Sequence, residues 1–291
     1  MVTGRTEALN HTGDDERPTK EIVMMTMATN TSTDLYWEAK GSGTPVLLIA
    51  GTPGDGGQMR AVADDLAADH LVITYDRRGT SRSATPPEWT ETSVAEQAHD
   101  AAAVLASVGV GSAVVFGTSN GAAVALEVAM RHPERVTTAI VHEIPLLSVL
   151  EDPAPVGEAV GAVIGAAMEA GGPRAALEAF LRFAFGDTVV DAWPPELRQR
   201  LLANADMVFS VELPAFQAYR PNEDDLAACR VPVRVLVGEE QQLPFMHEAG
   251  AWVARRVGTT VETAPGAHGP QFSHPARLAA AIREIGAGAG R

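Results

Sequence analysis

The sequence predicts an α/β fold with a mostly parallel sheet, helices on both faces and one long helical insertion. Short runs of apolar and β-branched residues alternate with helix-forming segments, which is the pattern of a doubly wound sheet. About ninety residues separate the sixth run from the seventh, whereas a crossover between parallel strands needs only about a dozen. The length of 291 residues suits one large core that carries such an insertion.

Eight segments carry the strand pattern. Residues 21–27 and 34–40 are separated by Thr, Asn and Ser, which favour turns, so they predict an opening antiparallel hairpin. The later strands are short, and most are strongly apolar, as in strands that a parallel sheet buries on both faces. They are predicted at 45–51, 70–76, 113–117, 135–141, 231–238 and 259–263.

The clearest helical segment covers residues 93–108. It begins with Ser93 and Glu96 in the spacing of a capping box, in which each side chain accepts a hydrogen bond from the main chain of the other residue. Small or apolar residues then recur at helical spacing, so one face of the helix is predicted to be buried. In a doubly wound sheet of this kind, ligands bind at the carboxyl ends of the strands.

The chain is predicted to contain a tail, a core in two pieces and a cap. The long insertion is rich in Ala, Leu, Glu and Phe and is broken at Gly-Gly-Pro (171–173) and Trp-Pro-Pro (193–195), which predicts several short helices. The predicted ranges are 1–19 for a flexible tail, 20–145 and 223–291 for the core, and 146–222 for the helical cap. Packing explains most aromatic side chains of the cap. The candidates for lining a substrate pocket are Phe183, Trp193, Phe209 and Phe216.

Ser119 is the candidate nucleophile. The strand at 113–117 runs through Gly-Thr-Ser-Asn-Gly into a helix-forming segment, so the serine has the spacing G-x-S-x-G at a strand-to-helix turn. Gly117 and Gly121 lack the Cβ atoms that would keep strand and helix apart. The bare motif also occurs in glycine-rich turns without catalytic function, and its position between strand and helix favours the nucleophile here.

A second glycine-rich turn supplies candidate donors for an oxyanion. It covers residues 52–57 and follows the strand at 45–51, next to the predicted nucleophile strand. The main-chain N–H groups of Thr52 and of Asn120, directly after Ser119, are predicted to form an oxyanion hole. The alternative is a turn without this role.

The order of these motifs makes the chain similar to α/β-hydrolases of the lidded esterase, lactonase and cofactor-free haloperoxidase-like group. The resemblance extends over residues 21–287 and rests on AGTPGDGG (50–57), YDRRGTSRS (75–83), GTSNG (117–121), VPVRVLVGEE (231–240) and PGAHGPQFSHP (265–275). It implies the α/β-hydrolase fold, with an eight-stranded, mostly parallel sheet and a helical cap after the sixth strand. It also implies that His268 is the catalytic base. One departure is Ala50, which stands where such families usually have a histidine.

The acid that should orient His268 has more than one candidate. In most relatives it is an aspartate shortly after the seventh strand, but this chain has Gln241 there. Glu143, at the end of the sixth strand, is favoured because a glutamate among apolar residues needs a partner in order to be buried. Glu239 and Glu240 are the alternatives, and the absence of a functional acid is a third.

Composition excludes several classes of partner. A formal net charge of −15 would repel nucleic acid and anionic membranes on average. Cys229 is the only cysteine, so no intramolecular disulfide can form and a reducing, cytoplasmic location is expected. No secretory signal or membrane-spanning run is recognised. Since metal-ligand and nucleotide-loop spacings are absent from the sequence, we expect no metal and no cofactor; a homodimer is compatible with the sequence.

The predicted function is therefore that of a serine hydrolase. Ser119 would attack an ester, lactone or thioester of a small hydrophobic substrate and form an acyl-enzyme. One alternative is a non-hydrolytic reaction on the same fold, such as cyclisation, C–C bond cleavage or elimination in natural-product metabolism. A further alternative is a small-molecule receptor that has lost catalysis.

Overall fold

The computed structural model describes residues 21–22, 33–85 and 89–288. The predicted tail at 1–19 and most of the first predicted strand lie outside these residues. Within them, one sheet of eight strands has the order β1-β2-β4-β3-β5-β6-β7-β8. The strands are β1 (Glu21–Ile22), β2 (Trp37–Gly41), β3 (Thr44–Ile49), β4 (His70–Tyr75), β5 (Ala113–Thr118), β6 (Val136–His142), β7 (Val233–Gly238) and β8 (Val261–Ala264).

The sheet is antiparallel at one edge and parallel elsewhere. β1 pairs with β2, and β2 with β4, in antiparallel register, as in Trp37 opposite Tyr75. The remaining pairs, from β4 through β3 to β8, are parallel. The carboxyl ends of β3, β5, β6, β7 and β8 therefore open at one edge, where the sequence places all of its candidate catalytic residues.

In the described residues, twelve α-helices connect or cover these strands. They are α1 (Arg60–Leu66), α2 (Val94–Val108), α3 (Asn120–Arg131), α4 (Ala154–Phe185), α5 (Asp187–Asp191), α6 (Pro195–Leu202), α7 (Ala205–Met207), α8 (Leu213–Ala218), α9 (Glu223–Ala228), α10 (Pro244–Arg256), α11 (Pro270–Ser273) and α12 (Pro275–Gly288). A π-helical segment, Val208–Glu212, joins α7 to α8.

Half of the predicted capping box forms at the start of α2. The Ser93 side chain accepts a hydrogen bond from the Glu96 N–H at 3.0 Å. The Glu96 carboxylate accepts one from the Thr92 hydroxyl at 2.8 Å and also pairs with Arg78, instead of turning back to the main chain of Ser93. The cap still satisfies one of the free N–H groups of the first turn.

Alternation along β3 builds the core on both faces of the sheet. Leu47 and Ile49 pack into the cluster under α2, α3 and α10, whereas Val46 and Leu48 pack into the cluster under α1 and α12. Successive strand side chains point to opposite faces, so an uninterrupted apolar run is what a sheet covered on both sides requires. All four are at most 1% exposed.

The helices α4 to α8 lie between β6 and β7 and form a layer with its own apolar cluster, which includes Leu177, Leu181 and Trp193. We call Ala154–Ala218 the cap. The predicted break at 171–173 reduces to one residue, because only Gly172, with φ of 72°, leaves the helical conformation of α4. The predicted break at 193–195 separates α5 from α6. None of the described helices combines the length and apolar character that crossing a bilayer requires.

Candidate active site

Ser119 stands at the tight turn between β5 and α3. Its φ is 54°, in the left-handed region, and its N–H donates to the His142 carbonyl at 3.0 Å. A Cβ atom on Gly117 would lie 2.1 Å from the Gly121 carbonyl oxygen, and one on Gly121 would lie 2.4 Å from the Ile49 carbonyl oxygen. Only glycine fits at either position, so the G-x-S-x-G spacing is a requirement of this turn.

His268 and Glu143 form a buried pair beside this turn. His268 follows β8, Glu143 follows β6, and Nδ1 of the imidazole lies 2.7 Å from Oε2 of the carboxylate. The side chains are 5% and 0% exposed. Glu143 has a φ of 47°, and its Oε1 accepts a hydrogen bond from the Gly238 N–H at 2.9 Å. The carboxylate is therefore fixed from two sides.

The Glu143 carboxyl stays ionised over the physiological range. Burial by itself raises its pKa, but hydrogen bonding and Coulomb attraction to His268, together with the Gly238 N–H, outweigh that cost. The pKa is lowered from 4.5 to about 2. A carboxylate in contact with Nδ1 orients the imidazole and leaves Nε2 to exchange protons.

Gln241 binds the same carboxylate. Its Nε2 donates to Oε2 of Glu143 at 2.6 Å, and its Oε1 accepts from the Leu243 N–H at 2.8 Å. The two alternative acids lie elsewhere: Glu239 is exposed and pairs with Arg277 at 2.9 Å, and Glu240 is exposed. Of the three candidates, only Glu143 contacts His268.

Ser119 and His268 line one cavity of about 90 Å³. The two side chains form no hydrogen bond with each other, and both contribute to the walls of the same cavity. The other walls come from the segment after β6, from the cap and from the start of α10. They include Pro145, Leu147, Val156, Val160, Ile164, Phe180, Phe183, Leu213, Phe216 and Phe245. The cavity is thus apolar apart from Ser119, Asn120, Gln217 and His268.

The two predicted oxyanion donors are both available. Thr52 and Asn120 are 4% and 8% exposed. Neither main-chain N–H has a hydrogen-bond acceptor among the described residues. The Asn120 side chain donates to Thr52 Oγ1 at 2.7 Å, which ties the two turns together. Asn120 is also the first residue of α3, where N–H groups are free and the helix dipole favours negative charge.

Two of the four predicted pocket residues line this cavity, namely Phe183 and Phe216. Trp193 and Phe209 lie outside it. Trp193 packs against Phe185 and Phe272, with ring centroids 5.7 and 5.0 Å apart, and borders a separate, larger cavity of about 650 Å³. Phe209 packs against the apolar cluster of the cap. Aromatic composition alone does not distinguish a pocket wall from the interior of the cap.

Sequence reasoning missed three residues around the site. Phe185 stacks on the His268 ring at 5.6 Å. Gln241 stands where an acid is expected, and its position beside the seventh strand is the signal that could reveal its contact with Glu143. Glu212 lies in the cap and accepts a hydrogen bond from the Thr52 hydroxyl at 2.6 Å. Nothing in its local sequence separates it from a surface glutamate.

Other candidate groups stand apart from the cavity. Burial raises the pKa of the Cys229 thiol, which opposes thiolate formation. His99 and His132 face each other at the surface, with Nδ1 and Nε2 2.7 Å apart. In the part of the chain that the structure describes, no group of three or more His, Cys, Asp or Glu side chains could hold a metal ion.

Comparison with known proteins identifies relatives of this chain. A family model described as the alpha/beta hydrolase fold matches residues 44–165. An uncharacterized hydrolase, YraK of Bacillus subtilis, is 39% identical over 117 residues, which are 40% of this chain and 43% of that protein. A zearalenone hydrolase of Cladophialophora bantiana is 28% identical over 277 residues, which are 91% of this chain and 97% of that protein. The chain thus spans less than half the length of the first of these relatives.

Among solved structures, a thermophilic esterase from Thermogutta terrifontis is similar over 91% of this chain and 98% of its own. The TM-score is 0.71 and the sequence identity is 24%. At this identity the likeness bears on the fold alone. Together with the family model, it confirms the fold class and the resemblance predicted from the sequence.

Proposed function

We propose that this member of the α/β-hydrolase fold superfamily is a serine hydrolase that cleaves small, apolar carboxylic esters or lactones through an acyl-enzyme. The observation that carries the proposal is the Glu143–His268 pair, whose imidazole lines the same cavity as Ser119 and Asn120. The Asn120 side chain binds Thr52, and the main-chain N–H groups of both residues have no acceptor among the described residues. The hydrolase relatives support the same class of reaction.

The first half-reaction transfers the acyl group to the enzyme. His268 Nε2 takes the proton of the Ser119 hydroxyl while Oγ attacks the substrate carbonyl carbon. The carbonyl oxygen becomes an oxyanion and accepts hydrogen bonds from the N–H groups of Thr52 and Asn120. The carbon–oxygen bond to the leaving group then breaks, and His268 returns the proton to the departing alcohol. Glu143 remains ionised and holds Nδ1 throughout.

The second half-reaction releases the acid. His268 takes a proton from water as the water oxygen attacks the acyl carbon, and the same two N–H groups hold the second oxyanion. The bond to Ser119 Oγ breaks, and His268 returns the proton to the serine. A Ser119–His268 hydrogen bond is required during these steps. Such contacts are often long in the free enzyme and tighten when substrate is bound.

The size and lining of the cavity support a short, apolar acyl group. Pockets for drug-sized ligands measure about 300–1,000 Å³, and the volume here is about 90 Å³. Phe183 and Phe216 add apolar walls to it. We therefore expect kcat/KM for p-nitrophenyl esters to fall by roughly tenfold or more between the butyrate and the octanoate. A relative is named a zearalenone hydrolase. Because zearalenone is a macrocyclic lactone much larger than this cavity, its turnover by this chain would contradict the short-acyl preference.

Covalent labelling tests the proposal directly. A fluorophosphonate should label wild-type protein at Ser119, and Ser119→Ala should lose both labelling and at least about 10³-fold of esterase turnover. Hydrolysis in H₂¹⁸O should place one solvent oxygen in the acid product. Unlabelled wild-type protein, or Ser119→Ala with full turnover, would contradict the proposal. Turnover without solvent oxygen in the product would indicate a non-hydrolytic reaction on the same fold.

A further inference from the structure

A buried chain of hydrogen bonds connects the cap to both residues of the proposed oxyanion hole. Asn120 Nδ2 donates to Thr52 Oγ1 at 2.7 Å, and the Thr52 hydroxyl donates to Glu212 Oε1 at 2.6 Å. Arg77 Nη2 donates to the same Glu212 oxygen at 2.6 Å. Glu212 is the last residue of the π-helical segment of the cap, and the other three belong to the core.

Burial leaves these four residues little freedom. Glu212 and Arg77 are each 1% exposed, and Thr52 is 4% exposed. Water therefore cannot readily replace a lost partner, and a buried charge without a partner is costly. Arg77 also donates through Nη1 to the Gln97 side chain at 2.6 Å, which anchors its guanidinium in the core.

The direction of the hydrogen bonds fixes the Thr52 side chain. A threonine hydroxyl has a single proton, and here Glu212 accepts it, so the lone pairs of Oγ1 remain for Asn120. The side chains of Thr52 and Asn120 are thus held by each other and by the cap. Because each side chain shares its Cα with the main-chain N–H proposed to bind the oxyanion, holding the side chains restricts the direction of both N–H groups.

Charge explains the presence of Arg77. A lone carboxylate behind the oxyanion hole would oppose the negative charge that develops there. The Arg77 guanidinium neutralises the Glu212 carboxylate, so the cap can hold Thr52 without weakening the oxyanion.

We propose that Glu212 is a positioning residue through which the seated cap aligns the two oxyanion-hole N–H groups. The inference rests on the proposed function and adds to it that the cap takes part in stabilising the transition state. A contrasting contact serves as a control, because Asn204 also joins cap to core. It accepts from the Ser81 N–H at 2.8 Å and donates to the Ser81 hydroxyl at 3.0 Å, but reaches neither Thr52 nor Asn120.

The test compares Glu212→Ala, Glu212→Gln, Thr52→Val and Asn204→Ala in the full-length chain. The readouts are kcat and KM for p-nitrophenyl acetate, and the inhibition constant of a small alkylboronic acid. The boronate adduct on Ser119 places an oxygen where the oxyanion would lie. Thr52→Val should lower kcat by about 10- to 100-fold with KM within about twofold, because the donors are misaligned rather than removed. Boronate affinity should fall by the same factor.

Glu212→Ala should match Thr52→Val, and the double variant should lose no more than either one, because both break the same chain of hydrogen bonds. Glu212→Gln keeps an acceptor at the Oε1 position and should retain kcat within about threefold. Asn204→Ala should keep wild-type kcat and boronate affinity. If Glu212→Ala fails to fold because Arg77 loses its partner, Thr52→Val decides, because it breaks the same contact. Wild-type kcat and boronate affinity in Thr52→Val would then overturn the inference.

Three further outcomes would overturn the inference. They are equal losses in Glu212→Ala and Asn204→Ala, additive losses in the Glu212→Ala/Thr52→Val double variant, and a change in KM alone. Labelling by a fluorophosphonate separates this failure from failure of the proposed function. Wild-type protein that labels at Ser119 keeps the hydrolase proposal, whatever the Glu212 variants do.

Discussion

The two ends of the candidate active site are held by different parts of the molecule. At the imidazole end, His268, Glu143 and Gln241 all come from loops at the edge of the sheet, and their hydrogen bonds stay within the core. At the oxyanion end, Thr52 and Asn120 also come from the core, but Glu212 of the cap completes their hydrogen bonds.

The imidazole end and the oxyanion end should therefore depend differently on the cap. In the proposed mechanism, the hydrogen bonds that orient His268 come from the core, and the cap adds only the stacking of Phe185 on its ring. Alignment of the oxyanion donors is proposed to require a hydrogen bond from the cap. A substitution at the imidazole end should therefore impair catalysis however the cap is seated. Damage to the cap should act first on the stabilisation of the oxyanion.

The largest effect is expected at the imidazole end. Glu143→Gln should lower kcat by roughly 10³- to 10⁴-fold, because a neutral amide no longer fixes the imidazole tautomer or stabilises the imidazolium. Steady-state kinetics with p-nitrophenyl acetate measure this effect. Glu239→Gln, at the exposed alternative acid, is the control and should stay close to wild type. A large loss in Glu239→Gln with little loss in Glu143→Gln would mean that Glu239, and not Glu143, is the acid.

His142, directly before Glu143, should make stability at this end depend on pH. It is fully buried, its Nδ1 lies 2.8 Å from the Thr118 hydroxyl, and burial lowers its pKa to about 4. Between pH 4 and 6.5 the unfolded chain binds the proton that the folded chain excludes, so the free energy of unfolding rises with pH. The Glu143 contribution is lost only below about pH 4.5, since its folded pKa is lowered to about 2.

Urea denaturation at pH 4.5 and 6.5 therefore isolates the histidine. His142→Gln should reduce the gain in unfolding free energy between these two values by roughly 2–3 kcal/mol relative to wild type. His247→Gln, at an exposed histidine, is the control and should leave that gain unchanged. An unchanged gain in His142→Gln would mean that the buried imidazole is protonated in the folded chain.

The same division explains what could be predicted from sequence. Ser119 and its flanking glycines form a local pattern, and Glu143 was favoured because a carboxylate in an apolar segment needs a partner. These inferences need only neighbouring residues and the order of strands. Glu212 meets Thr52 across 160 positions of the chain, so no local pattern reveals that contact.

The cap shows the same limit at the level of packing. The sequence predicts four aromatic residues of the pocket, and Phe183 and Phe216 border the cavity of Ser119, whereas Trp193 and Phe209 do not. Whether an aromatic side chain faces a pocket or the interior of the cap depends on how the short helices rotate against one another. Strand positions, by contrast, follow directly from apolar runs, as β3 at Thr44–Ile49 follows the prediction of 45–51.

A smaller effect is expected at Gln241, the second contact of Glu143. Gln241→Leu removes the 2.6 Å hydrogen bond to Oε2 while leaving His268 in place. The kcat should fall by about 3- to 10-fold with little change in KM, as expected for one charge-assisted hydrogen bond to an orienting group. Gln242→Leu is the matched control at an exposed neighbour. Equal losses of kcat in both variants would indicate that the substitutions disturb the loop in general, and that the Gln241 hydrogen bond does not help to hold Glu143.

The smallest effect is expected in the first half of α4, which lies apart in sequence from the part of the cap that carries Glu212. Gly157 is exposed, and a Cβ atom there would meet no heavy atom within 4 Å. Gly157→Ala should therefore raise the free energy of unfolding by about 0.5–1 kcal/mol, because alanine loses less backbone entropy in a helix. Gly172→Ala in the same helix should destabilise the protein, since Gly172 has a φ of 72°. Both variants should keep wild-type kcat, as measured alongside urea denaturation. Loss of stability in Gly157→Ala would mean that this surface packs against another part of the chain or a second copy. Loss of kcat would mean that the first half of α4 also supports the active site.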